Sequence, residues 1–400
     1  MDLPDLAPAA TARDSNCPQS IALHGWFFMR FSPVRLPVNR RAVSRRTFVW
    51  RSLLAAFVLG SAANRLLAAE AVSDDATRAQ QRETFGVKPS QPQSQQATPV
   101  ITTVAISPDG TQVATAGDDH LINLWNIDDG KLAHQLRCHA DWVRVVSYSP
   151  DGKWLASAGD DRKIHLWDTT AGTLIRKFGK HEAAIYALQF DPSGKTIAVA
   201  GFENLVRLYD ANSGDLIRTM ECSCDDIRAI AFSHDGQKLV AGGRDGHIRI
   251  WNVADGSVVN DWQGHEHRIR ILAISPTADR IASAGDGQQI RIWDVATAQQ
   301  QTAVDHGHGK VMSLCFCGDG HLASGGSDNL VRVWDLSTQK MTGSFTGHTG
   351  SVAALACDPT GKILVSGSFD TTIRVWQLNS AGDGQDGGRA ERVFEDIQAR

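Results

Sequence analysis

An aromatic residue recurs along this 400-residue chain at a nearly constant interval, and no other feature limits the possible folds as strongly. The interval is 42 residues at five steps and 41 at one. The recurring residues are Trp125, Trp167, Tyr209, Trp251, Trp293, Trp334 and Trp376. A turn of the Ser-Pro-Asp-Gly type, first seen at Ser107–Gly110, recurs in step with them. A sustained period of this length indicates a repeat architecture.

Each period has room for four short strands joined by tight turns. In the second unit, Val143–Ser149 alternates into a Pro-Asp-Gly turn, and further strands are predicted at Trp154–Ala158, Lys163–Trp167 and Thr173–Phe178. One four-stranded sheet of this size cannot bury both of its faces. Seven such sheets arranged radially bury each face against a neighbour, so the sequence predicts an all-β, seven-bladed β-propeller.

The residues that carry the period resemble the WD40 repeat family over residues 100–379. A histidine opens many units, as at His139, and Trp-Asp closes several, as at Trp167-Asp168. In WD40 proteins a His, a Ser or Thr, an Asp and the Trp form a hydrogen-bonded tetrad inside a blade. The resemblance implies three complete tetrads: His139, Ser157, Asp161 and Trp167; His308, Ser324, Asp328 and Trp334; and His348, Ser366, Asp370 and Trp376.

The remaining units depart from this tetrad pattern in different ways. The first lacks the His; the third has Val199, Glu203 and Tyr209 at the other positions; the fourth has Ser223 and Ala241; the fifth has Gly287 for the Asp. Blades three to five are therefore expected to depend more on apolar packing.

Residues 1–71 have the features of an export signal. Nine arginines stand against four acidic residues in this stretch. Ser44–Val49, with Arg45-Arg46 at its centre, precedes an apolar stretch at 52–63 and an Ala-x-Ala site that ends at Ala71. The apolar stretch would rise only about 18 Å as a helix, too short for a bilayer core of about 30 Å. This order of segments is that of a signal peptide.

The arginine pair resembles the twin-arginine (Tat) export signal of bacteria. The resemblance implies a bacterial protein exported to the periplasm or the exterior, with cleavage after Ala69 or Ala71 and no stable membrane span once the signal is removed. Met29 is an alternative start.

Residues 72–98 are rich in Gln, Ser, Thr and Pro and lack apolar periodicity, so they are predicted to form a disordered, flexible linker. The propeller is expected to occupy residues 99–400. After Trp376 the fourth strand of the last unit would fall in a Gly/Asp-rich stretch. The apolar cluster at 391–397 is the preferred closing strand, and a segment near Glu83–Val87 is the alternative.

The charge of the repeat region argues against nucleic acid as a partner. Beyond residue 71 the chain carries 31 basic and 40 acidic groups. A region with that excess of negative charge has little attraction for phosphate backbones or anionic lipid.

Several residue sets resemble catalytic or metal sites, but each fits a structural role better. The His, Ser and Asp sets resemble hydrolase triads, yet a nucleophile need not recur in blade after blade. His265 and His267, or His306 and His308, could hold a metal, but one His of each pair belongs to the repeat. No phosphate loop or Gly-x-Ser-x-Gly motif is present. We expect a non-enzymatic protein with no cofactor and no metal.

The cysteines form no C-x-x-C motif. Cys138 and Cys222 occupy equivalent positions two units apart, too distant to bridge. Only Cys315, Cys317 and Cys357 are placed to approach one another across a blade junction. We expect buried thiols and a fold without disulfides.

At one end of a propeller, the loop into each innermost strand meets the loop between the second and third strands, and WD40 proteins usually bind partners there. The aromatic and Arg residues at these loops are Trp142, Arg144, Phe202, Arg228, Arg244, Arg268, Arg270 and Phe369. Because such side chains are enriched where binding energy concentrates, we expect a protein or peptide partner at this rim. Salt bridges between blades are the structural alternative for these residues. An enzyme or cofactor-binding protein with its site at the channel mouth is the alternative function.

Overall fold

Twenty-eight strands account for all the regular secondary structure in the computed structural model of the chain, which describes residues 81–86, 99–223, 225–277, 279–318 and 320–378. The strands form seven antiparallel sheets of four strands each. The predicted all-β, seven-bladed propeller is confirmed. None of the described ranges contains a helix long and apolar enough to cross a membrane. The predicted signal at 1–71 lies outside the described residues.

The strands of the first half of the chain follow the repeat. They are β1 (Gln81–Gly86), β2 (Ile101–Ile106), β3 (Gln112–Gly117), β4 (Leu121–Asn126), β5 (Leu132–Arg137), β6 (Val143–Tyr148), β7 (Trp154–Gly159), β8 (Ile164–Asp168), β9 (Thr173–Lys177), β10 (Ile185–Phe190), β11 (Thr196–Gly201), β12 (Leu205–Asp210) and β13 (Leu216–Glu221).

The second half continues with the same spacing. Its strands are β14 (Ala229–Phe232), β15 (Lys238–Gly242), β16 (His247–Asn252), β17 (Val258–Gln263), β18 (Ile269–Ile274), β19 (Arg280–Gly285), β20 (Gln289–Asp294), β21 (Gln300–Asp305), β22 (Val311–Cys317), β23 (His321–Gly326), β24 (Val331–Asp335), β25 (Lys340–Phe345), β26 (Val352–Cys357), β27 (Ile363–Ser368) and β28 (Thr372–Gln377).

Blades one to six each take four consecutive strands, from β2–β5 to β22–β25, with the first strand innermost. Burial explains why the blades associate. In blade two the second strand, β7, is buried at every residue after Trp154, while the outermost strand, β9, alternates between exposed and half-buried residues. The middle strands of a blade are therefore apolar on both faces and require a neighbouring blade on each side.

The core consists of seven apolar clusters that lie between successive blades. Between blades one and two, Leu124 packs with Val146 and Leu155. The ring closes in the same way, since Ile101 of blade one packs with Val365 of blade seven. Burial of each such side chain contributes about 1.5–3 kcal/mol.

Blade seven is completed by the N-terminal strand, in the sheet order β1-β28-β27-β26. Thr84 of β1 lies opposite Arg374 of β28, and Gly86 lies opposite Thr372. The preference for 391–397 as the closing strand was wrong, because β1 already occupies the free edge of β28. Within the predicted linker, 72–98, Gln81–Gly86 is a paired strand. Residues 391–397 lie outside the described residues.

The expectation of a fold without disulfides was also wrong, because Cys222 is disulfide-bonded. The cysteines described as free thiols are Cys138, Cys315, Cys317 and Cys357. Cys317 is buried, and the other three are half-buried.

Candidate functional site

The structure brings the predicted tetrad of blade two together. Nδ1 of His139 donates to Asp161 Oδ2 at 2.9 Å, because a carboxylate only accepts. Nε2 of the same ring therefore accepts from the Ser157 hydroxyl at 2.8 Å, and Trp167 Nε1 donates to that hydroxyl oxygen at 2.8 Å. Burial is the largest influence on Asp161 and acts to raise its pKa, but the hydrogen bond and charge of His139 together with backbone N–H groups outweigh it, so the pKa is lowered.

Blade seven has the same arrangement. His348 contacts Asp370 at 2.9 Å and Ser366 at 2.7 Å, and Trp376 donates to Ser366 at 2.8 Å. Burial opposes ionisation of Asp370, yet hydrogen bonds led by that from Thr372 lower its pKa to about 2.

Blade six differs from the predicted set. His308 is exposed, and His306 occupies the tetrad position instead, with its ring 6.5 Å from that of Trp334. Trp334 donates to Ser324 as predicted, but Asp328 is paired with Arg332. The sequence does contain the signal that distinguishes the two histidines. The tetrad His precedes its Ser by 18 residues in blades two and seven, and His306 precedes Ser324 by the same number.

Blades five and three retain parts of the network. In blade five, His265 contacts Ser283 at 2.7 Å and Trp293 donates to the same hydroxyl. In blade three, the Tyr209 hydroxyl reaches His181 Nε2 directly at 3.0 Å. These contacts add hydrogen bonds to blades that the sequence assigned mainly to apolar packing.

The tetrad serines cannot act as nucleophiles in this arrangement. Ser157, Ser324 and Ser366 are fully buried, so no substrate reaches their hydroxyls. Within the described ranges, no three His, Cys, Asp or Glu side chains are placed to hold a metal ion. The His-Ser-Asp sets therefore stabilise the blades through buried hydrogen bonds.

Three buried histidines give the fold a dependence on pH. Burial lowers the pKa of His165 to about 3 and that of His265 and His306 to about 4. In the unfolded chain each titrates near 6.5, so their stability contribution is complete above that pH and is lost as the pH falls toward 4. We expect the melting temperature to fall by roughly 5 °C or more between pH 7 and pH 4.5.

The variant His165→Leu isolates this effect, because both ring nitrogens of His165 are buried without a hydrogen-bond partner. Its melting temperature should fall less steeply with acid than that of the unchanged protein. A pH profile with the same slope in both proteins would contradict the assignment.

The loop rim is defined as the end of the propeller that carries the loops into the innermost strands and the loops between second and third strands. In blade two, the end of β7 and the loop into β6 are in close backbone contact at this rim. A Cβ at Gly159 would lie 1.9 Å from the Trp142 carbonyl oxygen, so only glycine fits where β7 ends. The next residue, Asp160, donates its N–H to the same oxygen at 2.9 Å. Trp142 and Asp160 are thereby fixed side by side.

Most of the predicted rim arginines are paired with carboxylates. Arg144 binds Asp160 through both Nε and Nη2. Arg228 binds Asp226 in the same two-point manner. Such bidentate pairs are geometrically specific.

Two of these pairs are shared between blades. Arg268 of blade five reaches Asp226 of blade four at 3.1 Å. Arg270 contacts Asp286 at 2.6 Å, and Lys310 of blade six reaches the same carboxylate at 3.4 Å. The alternative of salt bridges between blades therefore describes Arg268 and the carboxylate that Arg270 shares with Lys310, whereas Arg144 and Arg228 are paired within their own blades.

Aromatic rings connect these pairs into a continuous layer. The guanidinium of Arg144 lies 4.4 Å from the ring centre of Trp142 and 5.7 Å from that of Tyr186. The guanidinium of Arg228 lies 3.6 Å from the ring centre of Tyr186. Cation–π contacts and ion pairs thus link blades two to six at this rim. Tyr186 and Asp226 were missing from the predicted set, although Asp226 precedes Arg228 by two residues.

The other predicted rim residues remain available to a partner. Phe202 is 56% exposed and Phe369 is 42% exposed. Each is held by a backbone hydrogen bond, from Phe202 N–H to Ala184 and from Phe369 N–H to Ser351. Arg244 is exposed and forms no ion pair with any described residue. Phe202 and Arg244 hold equivalent positions on the neighbouring blades three and four.

Comparison with known proteins identifies the repeat. The family model described as WD domain, G-beta repeat matches residues 90–126, 130–168, 214–252, 256–294, 299–335 and 339–377. A model described as the anaphase-promoting complex subunit 4 WD40 domain matches residues 179–227. A ribosome biogenesis protein BOP1 homolog from Monosiga brevicollis is 53% identical over 49 residues, which is 12% of this chain and 5% of that protein.

Proposed function

Since the chain belongs to the WD40 repeat family, whose propellers are typically non-enzymatic and hold other proteins, we propose that its loop rim binds a protein or peptide partner. The observation that carries this proposal is the exposure of Phe202 and Arg244 beside a layer of side chains that is already fixed by contacts within the protein. Residues held in place before binding lose little conformational freedom when a partner arrives.

The charges of the rim define the partner more closely. Because Arg144, Arg228, Arg268 and Arg270 are ion-paired with Asp160, Asp226 and Asp286, most of the positive charge at the rim is already paired within the protein. Arg244 is the predicted rim arginine left for a partner carboxylate. Phe202 offers apolar area on the adjacent blade. We therefore propose a segment that carries one acidic and one apolar side chain as the partner.

The test is the double variant Phe202→Ser and Arg244→Ser. Both side chains are exposed, so the melting temperature should stay within a few degrees while the amount of co-purified partner falls about tenfold or more. The matched control is Ile217→Ser with Val259→Ser, which removes exposed apolar residues from the outermost strands of the same two blades. Partner binding that survives the rim variant, or that is lost equally in the control, contradicts the proposal.

We also propose that the scaffold acts after export by the bacterial twin-arginine route, in the periplasm or outside the cell. The support is the sequence alone: Arg45-Arg46, the short apolar stretch and the Ala-x-Ala site, all outside the described residues. A signal of this type is removed from the mature protein.

Replacing Arg45 and Arg46 together by Lys should leave the precursor uncut in the cytoplasm. The change preserves charge but removes the guanidinium pair, which Lys does not imitate. Cell fractionation with immunoblotting measures the outcome. The neighbouring pair Arg40-Arg41 provides the control, because its replacement by Lys should leave export normal. Normal export of the double variant at Arg45 and Arg46 would contradict the assignment of a twin-arginine signal.

A further inference from the structure

A cavity lies at the end of the propeller opposite the loop rim. The innermost strands of blades two to six line this cavity, which has a volume of about 480 Å³. Its wall includes the small residues Ser147, Ala231 and Ala273, which leave room at the centre, and the side chain of Cys315. A cavity of this size is large enough to admit water and small solutes.

Three free cysteines meet where blade six joins blade seven. Cys315 and Cys317 lie on β22, and Cys357 lies on β26, the innermost strand of the next blade. They belong to one packed cluster. Cys315 and Cys357 both pack against Cys317.

The three thiols differ in their surroundings. Cys317 is 5% exposed, whereas Cys315 is half-buried and borders the cavity. A hydrogen bond with Cys315, together with burial, raises the pKa of Cys317. A hydrogen bond with Cys317, again with burial, raises the pKa of Cys357. Because Cys315 is the one of the three that lines the cavity, it is the sulfur that meets a dissolved oxidant first.

We propose that this cluster is an oxidation site, at which hydrogen peroxide entering the cavity converts three thiols into one thiol and a Cys317–Cys357 disulfide between blades six and seven. Cys315 reacts with peroxide first. Cys317 then forms a disulfide with Cys315, and Cys357 replaces Cys315 as the disulfide partner of Cys317.

The steps balance with peroxide as the only oxidant. The Cys315 sulfur attacks one peroxide oxygen; the S–O bond forms, the O–O bond breaks, and the leaving hydroxide takes up the Cys315 proton as water. The Cys317 sulfur then attacks the Cys315 sulfenic acid, which forms an S–S bond and releases a second water carrying the Cys317 proton.

The Cys315–Cys317 disulfide then exchanges with Cys357 on the neighbouring blade. Residues two apart on a strand have Cα atoms about 6.6 Å apart, near the upper limit for a disulfide. Cys357 attacks the Cys317 sulfur, and Cys315 leaves as a thiolate that accepts the Cys357 proton. Two thiols and one peroxide have then become one disulfide and two waters.

Peptide mapping of the purified full chain tests the proposal. Trypsin releases residues 311–332 with Cys315 and Cys317, and residues 341–362 with Cys357. After peroxide treatment, and alkylation in denaturant, we expect these two peptides to be linked through Cys317 and Cys357. The link should raise the melting temperature by several degrees, and dithiothreitol should reverse both changes.

Substitutions by residues that other repeat units carry at the equivalent positions test the role of each cysteine. Cys317→Ser introduces the residue that Ser149 and Ser275 provide at the same position, and it should abolish the link. Cys315→Ala introduces the residue found at Ala273, and it should slow linkage at least tenfold. Cys138→Ala, which removes a free thiol in another blade, should change neither rate nor product.

The proposal is overturned by any of four results. Peroxide could take Cys315 to sulfinic or sulfonic acid without a linked peptide, or leave all three thiols open to alkylation. The Cys315–Cys317 disulfide could be the final product. Linkage could proceed at an unchanged rate in folded Cys315→Ala protein, as checked by circular dichroism.

Discussion

Deleting Gln81–Gly86 should lower the melting temperature by roughly 10 °C or more. These residues form the fourth strand of blade seven and pair with β28 through five register positions. Their loss removes a ladder of backbone hydrogen bonds worth about 1 kcal/mol each and leaves β28 as an open edge. Buried side chains on β28, such as Ile373 and Trp376, lie in the strand that becomes exposed. Thermal unfolding followed by circular dichroism gives the measurement.

The opposite end of the chain provides the control for this deletion. Removing residues 391–400 should leave the melting temperature within about 2 °C, because β1 holds the position that a C-terminal strand would need. The substitution Thr84→Pro should reproduce part of the loss, since proline cannot donate to a ladder. If the C-terminal deletion destabilises the protein and the N-terminal deletion does not, closure by β1 is refuted.

Ser366→Ala should destabilise the protein by about 3 kcal/mol. The Ser366 hydroxyl is bonded to both His348 Nε2 and Trp376 Nε1, and all three side chains are buried. Alanine fills almost the same volume but leaves two buried polar nitrogens without a partner, and each such group costs about 1–3 kcal/mol. Urea unfolding of the variant beside the unchanged protein measures the difference.

The incomplete tetrad of blade one offers a matched control. Thr115 accepts from Trp125 Nε1 at 2.9 Å, and the Trp125 side chain is half-buried. Thr115→Ala therefore leaves one nitrogen unpaired, within reach of water, and should cost about 1 kcal/mol or less. Equal losses in the two variants would show that the hydroxyls matter for packing rather than for the network.

Periodicity predicted the blades closely because each strand pairs with its neighbour in the chain. The strand predicted at Thr173–Phe178 is observed at Thr173–Lys177, and that at Val143–Ser149 is observed at Val143–Tyr148. The choice of His308 failed for a local reason: it followed a Gly-His pair rather than the distance to Ser324. His306 satisfies that distance and is 1% exposed.

Contacts between distant segments could not be predicted in this way. Gln81–Gly86 has no apolar pattern of its own and becomes a strand through its pairing with β28. The ion pairs of the rim arginines could not be predicted for the same reason. Arg268 and Asp226 belong to different repeat units, and only the assembled ring shows that one neutralises the other.

The pairing of β1 with β28 has a consequence for the order in which the molecule folds. Gln81 lies opposite Trp376, so this contact closes a loop of about 300 residues and has the highest entropic cost of any strand pair. Blades one to six form from local hairpins, whereas blade seven can be completed only after β28 has been synthesised. Because β1 and β28 are neighbours in one sheet, the propeller is suited to circular permutation. In such a variant a short linker joins β28 to β1, and the new termini lie in a loop between two other blades. Such a permutant converts closure into a local hairpin and should fold faster than the natural order of strands.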